Sequence, residues 1–250
     1  MWFVEMNIGG ETRHVVMRGV RADAEQQFPL EHEMALQRTL YEQGIPVPEV
    51  YGWCEDPPAY AMEAVAGQPD FKGVPPGDRA TIVDEYLQTL AHIHSLPIEP
   101  FVDAGITRGT SPGDAAHVGI RQFVRAYRSN KVRPDPLMEF VLGWLQRHPL
   151  PPSDRECAIV WDSGQFHHAD GHFTHVMDVE IGHIGDPMMD LAAWRMRDTV
   201  IPYGDFTRLY ARYEDLTGTP VDLAAIQYHH LFFTLTNQLS FHKPLAEPTP

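Results

Sequence analysis

The sequence predicts an α+β protein, with a small strand-rich part followed by a larger helical part that carries one β-hairpin. Three observations predict this. Short apolar stretches separated by Gly and Pro turns fill the first 65 residues. Apolar stripes at helical spacing run from residue 78 onward. Among those helices, Asp170-Gly171 stands between apolar runs, a strong hairpin-turn signal.

The elements follow in order. Residues 2–6 alternate aromatic and aliphatic side chains, Gly9-Gly10 supplies a turn, and residues 13–18 carry Val15, Val16 and Met17, so two strands are expected. A helix is expected over 30–43. Its stripe is Leu30, Met34, Gln37 and Tyr41, with Leu36 and Leu40 beside it, and Gly44 closes it with Pro46 just beyond. Residues 47–53 read as a strand entered through Pro48, Pro57-Pro58 turns the chain, and 60–65 read as another strand. Ala66-Gly67-Gln68-Pro69 then breaks the pattern. The division expected from this is 1–66 and 67–250, with a linker near 66–68.

Beyond the break, Asp78 is the expected cap of a helix whose stripe is Ile82, Val83, Tyr86, Leu87, Leu90 and Ile93. Residues 97–118, rich in Pro, Gly and Asp, are expected to be an irregular loop. Helical patterns return at 119–129 and 136–147. Strands at 158–161 and 172–177 bracket Asp170-Gly171. Asp186-Pro187 opens the next helix, because Asp caps well and Pro suits the first helical position. Helices at 205–216 and 221–242 complete the chain, and no internal repeat is present.

Charge and composition narrow the function. Lys plus Arg total 19 and Asp plus Glu total 34, giving a formal net charge of −15. Phosphate backbones and anionic membrane surfaces both select basic faces, so neither nucleic acid nor a membrane is the expected partner. Cys54 and Cys157 are the only cysteines, too few for a disulfide scaffold or a four-cysteine zinc site. No apolar run approaches the roughly 20 residues of a membrane span, and no basic-then-apolar leader is present at the N-terminus. The expectation is a soluble, cytoplasmic protein.

The densest chemistry lies in 159–190, where Asp162, Asp170, Asp178, Glu180, Asp186 and Asp190 alternate with apolar runs. Asp178 ends an apolar strand, where a rigidly held carboxylate suits Mg²⁺. Asp162 likewise follows Ile159, Val160 and Trp161. Two such groups facing one cleft could divide the work, one activating a hydroxyl and the other holding metal on a polyphosphate. The plainer alternative is solvated turns and helix caps. His167, His168, His172 and His175 with Asp170 could bind Zn²⁺, but a tight hairpin sends neighbouring side chains to opposite faces. An exposed polar hairpin is the simpler reading. His229-His230, beside Phe232-Phe233, reads as packing or surface.

Residues 176–194 (VMDVEIGHIGDPMMDLAAW) resemble the metal-binding stretch of the aminoglycoside phosphotransferase-like kinases. That family's pattern is hydrophobic-Asp-Trp-Glu, a spacer, Gly-Asp-Pro, three residues and Leu-Ala, and here Val179 replaces the Trp. Upstream, Glu33, Leu40, Ile45-Pro46-Val47-Pro48 and Val50-Tyr51-Gly52 resemble its first helix and following strand. Residues 90–96 (LAHIHSL) resemble its long C-lobe helix. The resemblance implies a two-lobed protein-kinase-like fold, with a nucleotide-binding N-lobe and a helical C-lobe that carries the catalytic and metal-binding loops. It also implies transfer of the γ-phosphoryl group of ATP or GTP, with Mg²⁺, to a small-molecule hydroxyl. Arg18 stands where the family carries its phosphate-contacting base, and Glu33 matches the acidic partner of that base. Ala61-Met62-Glu63 resembles the hinge that receives adenine, implying Met62, Glu63, Ala64 and Val65 as nucleotide contacts.

The departures are as informative. The family's catalytic loop reads His-Gly-Asp, four residues, then Asn. Aligned on Gly164-Gln165-Phe166 and Asp170-Gly171, this chain places Asp162 at the catalytic Asp and Gln165 at the metal-binding Asn, with the loop two residues shorter. The longer Gln side chain could compensate for the shorter loop. Trp161 replaces the small Gly. The family's Gly-rich strand precedes the strand resembling 2–6, so it is expected either upstream of Met1 or not at all.

The resemblance therefore implies Asp162 as catalytic base, Gln165 and Asp178 as Mg²⁺ ligands, and Asp190 as a brace for the catalytic loop. The acceptor would be met by residues 97–118 and 205–243. A pseudokinase-like binding protein is the rival reading, and a Zn²⁺-dependent hydrolase built on the His-rich hairpin is a third.

Overall fold

In the computed structural model, residues 1–20 and 26–236 are described. β1 (Trp2–Ile8) and β2 (Glu11–Gly19) form a hairpin about Gly9-Gly10, whose φ angles of 64° and 94° are those of a two-residue turn that glycine makes easily. α1 (Leu30–Glu42) crosses to β3 (Val50–Glu55) and β4 (Pro58–Glu63), and the four strands pair antiparallel in the order β1-β2-β4-β3. The register sets Val16 opposite Met62 and Arg18 opposite Tyr60. Val16, Tyr60 and Met62 thus bury one face of the sheet against Leu30 of α1.

The helical part opens with α2 (Pro76–Ser95), whose expected stripe from Ile82 to Ile93 is buried throughout. Asp78 is not its cap. Pro76 takes the first helical position and Pro75 precedes it, so Asp78 falls in the first turn, where a carboxylate still suits the helix dipole. The loop expected over 97–118 contains a short helix α3 (Glu99–Asp103) and a 3₁₀ turn (Pro112–His117). α4 (Val118–Asn130) and α5 (Pro136–Arg147) follow as expected.

The strand assignments around the hairpin need correction. β5 (Cys157–Ile159) pairs with β8 (His183–Gly185), not across the Asp170-Gly171 turn. That turn joins β6 (Phe166–Ala169) to β7 (His172–Val176), with φ of 52° and 81° at its two central residues. α6 (Pro187–Arg197) starts at Asp186, whose carboxylate accepts the Met188 N–H at 2.8 Å. α7 (Phe206–Thr217) and α8 (Leu223–Phe233) close the described chain. Of the helix expected over 221–242, positions 237–242 lie outside the described residues.

Two further apolar cores lie behind the loop at 160–165. One joins α1, α2 and α6 through Leu36, Tyr86, Leu90 and Trp194. The other gathers Phe123, Trp161 and Phe232. Among the described residues, no helix is long and apolar enough to cross a membrane.

Candidate active site

A cavity of about 620 Å³ opens beneath the four-stranded sheet. Arg18, Glu33, Gln37, Tyr60 and Met62 line it from the sheet side, and Gln165, Asp178 and Arg197 from the helical side. Arg18, at the end of β2, is buried and donates from Nε to Glu33 Oε1 at 2.9 Å. Its Nη2 reaches Glu33 Oε2 at 3.3 Å and also meets Glu180. Tyr60 donates its hydroxyl to Glu33 Oε1 at 2.9 Å, and Gln37 anchors to the Pro48 carbonyl at 2.7 Å. Burial disfavours the Arg18 charge, but the Glu33, Glu180 and Asp178 carboxylates outweigh it and push the guanidinium pKa up. Burial raises the Glu33 carboxyl, and Arg18 and the Tyr60 hydroxyl oppose the rise. Removing either member of such a buried pair strands the other, so the tether is a strong one.

The loop at 160–165 is fixed from α6. Asp190 accepts the Trp161 N–H at 2.5 Å and the Val160 N–H at 3.1 Å, so it braces the loop as expected. Behind it, His94 places Nε2 at 2.9 Å from Asp190 and Nδ1 at 2.7 Å from the Tyr213 hydroxyl. Trp161 takes a left-handed φ of 57°. Its ring is buried against Phe232, stacked at 5.9 Å between centroids, and against Phe123, edge-on at 5.2 Å. Tyr86 accepts the Gly164 N–H at 2.7 Å, and Tyr203 donates to the Gly164 carbonyl at 2.7 Å. The two phenols hold the loop from opposite sides.

Three side chains meet on this frame. Gln165 Nε2 lies 2.5 Å from Asp162 Oδ2 and 3.1 Å from Asp178 Oδ2. The other Asp162 oxygen is ion-paired with Arg197 Nη2, and Arg197 Nε donates to the Ser163 carbonyl at 3.2 Å. Burial raises the Asp162 carboxyl pKa, while the Arg197 charge works in the opposite direction. Asp178 follows β7 with a left-handed φ of 58° and is exposed to the cavity. The structure thus brings together Arg18, Glu33, Met62, Asp162, Gln165 and Asp178. Glu63, Ala64 and Val65 follow Met62 but do not line the cavity. Glu63 gives its N–H to the Glu49 carbonyl at 2.8 Å, and Ala64 gives its N–H to the His14 carbonyl at 3.3 Å.

The donor set suits a hard cation. Mg²⁺ in phosphate sites takes one or two protein oxygens at about 2.0–2.1 Å, and adjacent ligands in that octahedron lie about 3 Å apart. Gln165 and Asp178 stand at that spacing, and the Gln165 amide can turn its oxygen towards Asp178. The His-rich hairpin is built otherwise. His168 Nε2 meets the Asp70 carbonyl at 2.6 Å, and His172 Nδ1 meets Glu85 at 2.8 Å. Among the described residues, no three His, Cys, Asp or Glu side chains gather to hold a metal.

Arg197 is the residue that sequence reasoning missed. A signal existed: Asp190 and Arg197 are seven residues apart, so they share one face of α6. Glu180 was visible only as one of six nearby carboxylates, and its contact with Arg18 spans 162 residues.

Known proteins bear out the architecture. A Ralstonia eutropha protein assigned as an aminoglycoside phosphotransferase superposes with a TM-score of 0.71 at 21% identity, covering 100% of this chain and 85% of its own. A macrolide 2'-phosphotransferase type I superposes with a TM-score of 0.64 at 19% identity, covering 95% of this chain and 84% of its own. These likenesses show the two-lobed protein-kinase-like fold. In sequence, rat acyl-CoA dehydrogenase family member 11 is 32% identical over 178 residues, which is 65% of this chain and 22% of that protein. Mouse acyl-CoA dehydrogenase family member 10 is 28% identical over 176 residues, 65% of this chain and 16% of its own length. The chain thus spans about a fifth of the curated relatives it matches. The profile of the phosphotransferase enzyme family matches residues 6–218, and the chain belongs to that family.

Proposed function

We propose that the chain transfers the γ-phosphoryl group of ATP or GTP to a hydroxyl of a small molecule in a Mg²⁺-dependent reaction. The observation that carries this reading is the Gln165 amide set between Asp162 and Asp178, in a cavity whose sheet side presents Arg18 on its Glu33 tether. A structurally similar phosphotransferase has been captured as a ternary complex with ADP and hygromycin B, which supports nucleotide and acceptor sharing such a cleft.

In this reading residues 1–66 form the nucleotide-binding lobe and 67–250 the lobe with the catalytic and metal-binding loops. Met62, which lines the cleft, borders the space for the base, and Arg18 contacts the phosphates. Gln165 and Asp178 hold Mg²⁺, which when bound neutralises charge developing on the phosphates. A Gln165 amide presenting its oxygen as a ligand would no longer give its N–H to Asp162 Oδ2. That oxygen is then available to orient the acceptor hydroxyl and take its proton. Arg197 keeps the other oxygen fixed, so the carboxylate presents one defined face. The protein's contribution is positioning and charge, with little covalent chemistry.

The second reading is a nucleotide- or ligand-binding protein without turnover, favoured by the ion pair that Arg197 makes with Asp162. Mg²⁺-ATP titration and ADP release over a panel of alcohols separate the two. Turnover that Asp162→Asn lowers by about 10²–10⁴-fold, with nucleotide affinity unchanged, supports catalysis. Nucleotide binding with no turnover on any alcohol supports the binding protein.

A further inference from the structure

A second cavity, of about 680 Å³, opens between α4, α5 and the first half of α8. It shares no lining residue with the cleft above, and its size is within the range of small-molecule sites. Its floor is apolar: Val124, Leu142 and Leu145 are all buried. Its charged residues are all arginines. Arg121, Arg125 and Arg128, spaced four and three residues apart, line one face of α4 along the opening.

No Asp or Glu lines this cavity, although the chain has 34 acidic residues against 19 basic ones. Arg121 is engaged by Asp114, with both of its contacts at 2.6 Å. Arg125 donates to the neutral Gln122 amide at 3.1 Å. Among the described residues, neither Arg125 nor Arg128 is within ion-pair distance of a carboxylate; Glu139 is ion-paired with Lys131 at 2.5 Å and feels the Arg128 charge only at longer range. Two exposed guanidinium groups therefore stand over a buried apolar floor. An aliphatic body would be desolvated there, and an anionic head would find charge-assisted donors at the rim.

We propose that this cavity binds a soluble amphiphilic anion, a carboxylate or phosphate on an aliphatic body, with the head on Arg125 and Arg128 and the body on Val124, Leu142 and Leu145. The occupant is a dissolved molecule and not a bilayer. The apolar residues are buried below the arginine rim, where a single chain can enter and a bilayer surface cannot. This inference does not depend on the phosphotransferase reading.

The test is calorimetric titration of the full chain with decanoate, decyl phosphate and decyltrimethylammonium below their micelle concentrations, and with decanol below its solubility limit. The two anions should bind at one site per chain, with decanol and the cation about tenfold weaker or more. Arg125→Gln with Arg128→Gln should lower anion affinity by about tenfold and leave decanol binding unchanged. Phe140→Ser, on the exposed face of α5 outside the cavity, controls for nonspecific adsorption and should change nothing. Equal binding of decanoate and decanol, an unaltered double variant, a loss on Phe140→Ser, or binding only to phosphatidylglycerol vesicles would each overturn the proposal.

Discussion

Gly119 on α4 and Trp161 in the loop before Asp162 share one space. A Cβ added at position 119 would lie 2.1 Å from Cζ3 of the Trp161 ring and 2.7 Å from Cε1 of His183. The loop carries a large aromatic residue where the family pattern has Gly, and the missing side chain on α4 makes room for it. The indole is fully sequestered against Phe123 and Phe232, so its bulk is part of the second core. Asp162, the next residue, inherits its position from that packing.

Gly119→Ala should therefore destabilise the protein, although Ala is the better helix former by about 1 kcal/mol. Overlap with a buried ring costs typically about 1–3 kcal/mol, so the expected net loss is up to about 2 kcal/mol. Urea unfolding of Gly119→Ala, Trp161→Leu and the double variant forms a cycle. The pair should couple favourably, because the smaller Leu admits the new methyl group. Additive effects would show that the contact is not what limits position 119.

Asp178→Asn should weaken Mg²⁺-dependent nucleotide binding while leaving unfolding unchanged, because the exposed side chain has little packing role. Calorimetric ATP titration with and without Mg²⁺ reads this directly. Equal Mg²⁺-ATP affinity in parent and variant would remove Asp178 from the metal site. Gln165→Asn sharpens the point: if the longer side chain offsets the shorter loop, Asn should reach the ion poorly and raise the Mg²⁺ requirement.

How much of this was legible in the sequence depends on the range of the interaction. The buried stripe of α2, the Asp186 cap and the Asp170-Gly171 turn follow from residues a few positions apart, and each stands as read. Asp78 failed as a cap because Pro76, two residues earlier, had already fixed the start of the helix. The β5–β8 pairing was invisible because three-residue strands carry no usable periodicity. The shared space of Gly119 and Trp161 and the Arg197–Asp162 pair link positions 42 and 35 residues apart, so only the folded chain could reveal them. The bracing by Asp190, 29 and 30 residues from the amides it holds, was suggested by the family pattern.

Arg197→Met should lower turnover more than it changes nucleotide affinity. The variant removes both the cation beside Asp162 and the Nε contact to the Ser163 carbonyl. Burial then dominates at Asp162 and favours the protonated carboxyl, which cannot act as a base. A fall in kcat of about tenfold or more is expected, with Arg197→Lys recovering part of it through its charge alone. A rise in kcat for Arg197→Met would show instead that the ion pair restrains the carboxylate and would reverse this role.

Three buried histidines should make stability fall on mild acidification. Burial lowers the pKa of His32 to about 4, of His183 to about 4 and of His229 to about 3, from an ordinary 6.5. His32 Nε2 accepts the Thr107 N–H at 3.0 Å, which requires it unprotonated. Among the described residues, neither ring nitrogen of His229 has a hydrogen-bond partner. Between pH 6.5 and about 4 the unfolded chain binds these protons and the folded chain does not. The stabilisation is therefore complete above 6.5 and is lost as the pH falls through that window. Each proton contributes a slope of up to about 1.4 kcal/mol per pH unit, so three give roughly 4 kcal/mol per unit. Asp162, Glu33 and Asp186 have folded pKa values raised above the ordinary carboxylate range, mainly by burial, and act with the opposite sign at lower pH. The histidine slope is therefore read just below pH 6.5, where these carboxylates interfere least. Urea unfolding just below pH 6.5 should show the slope, and His229→Leu should reduce it by up to about 1.4 kcal/mol per pH unit while keeping the site apolar. An unchanged slope in His229→Leu would mean that this ring is not excluded from protons in the folded state.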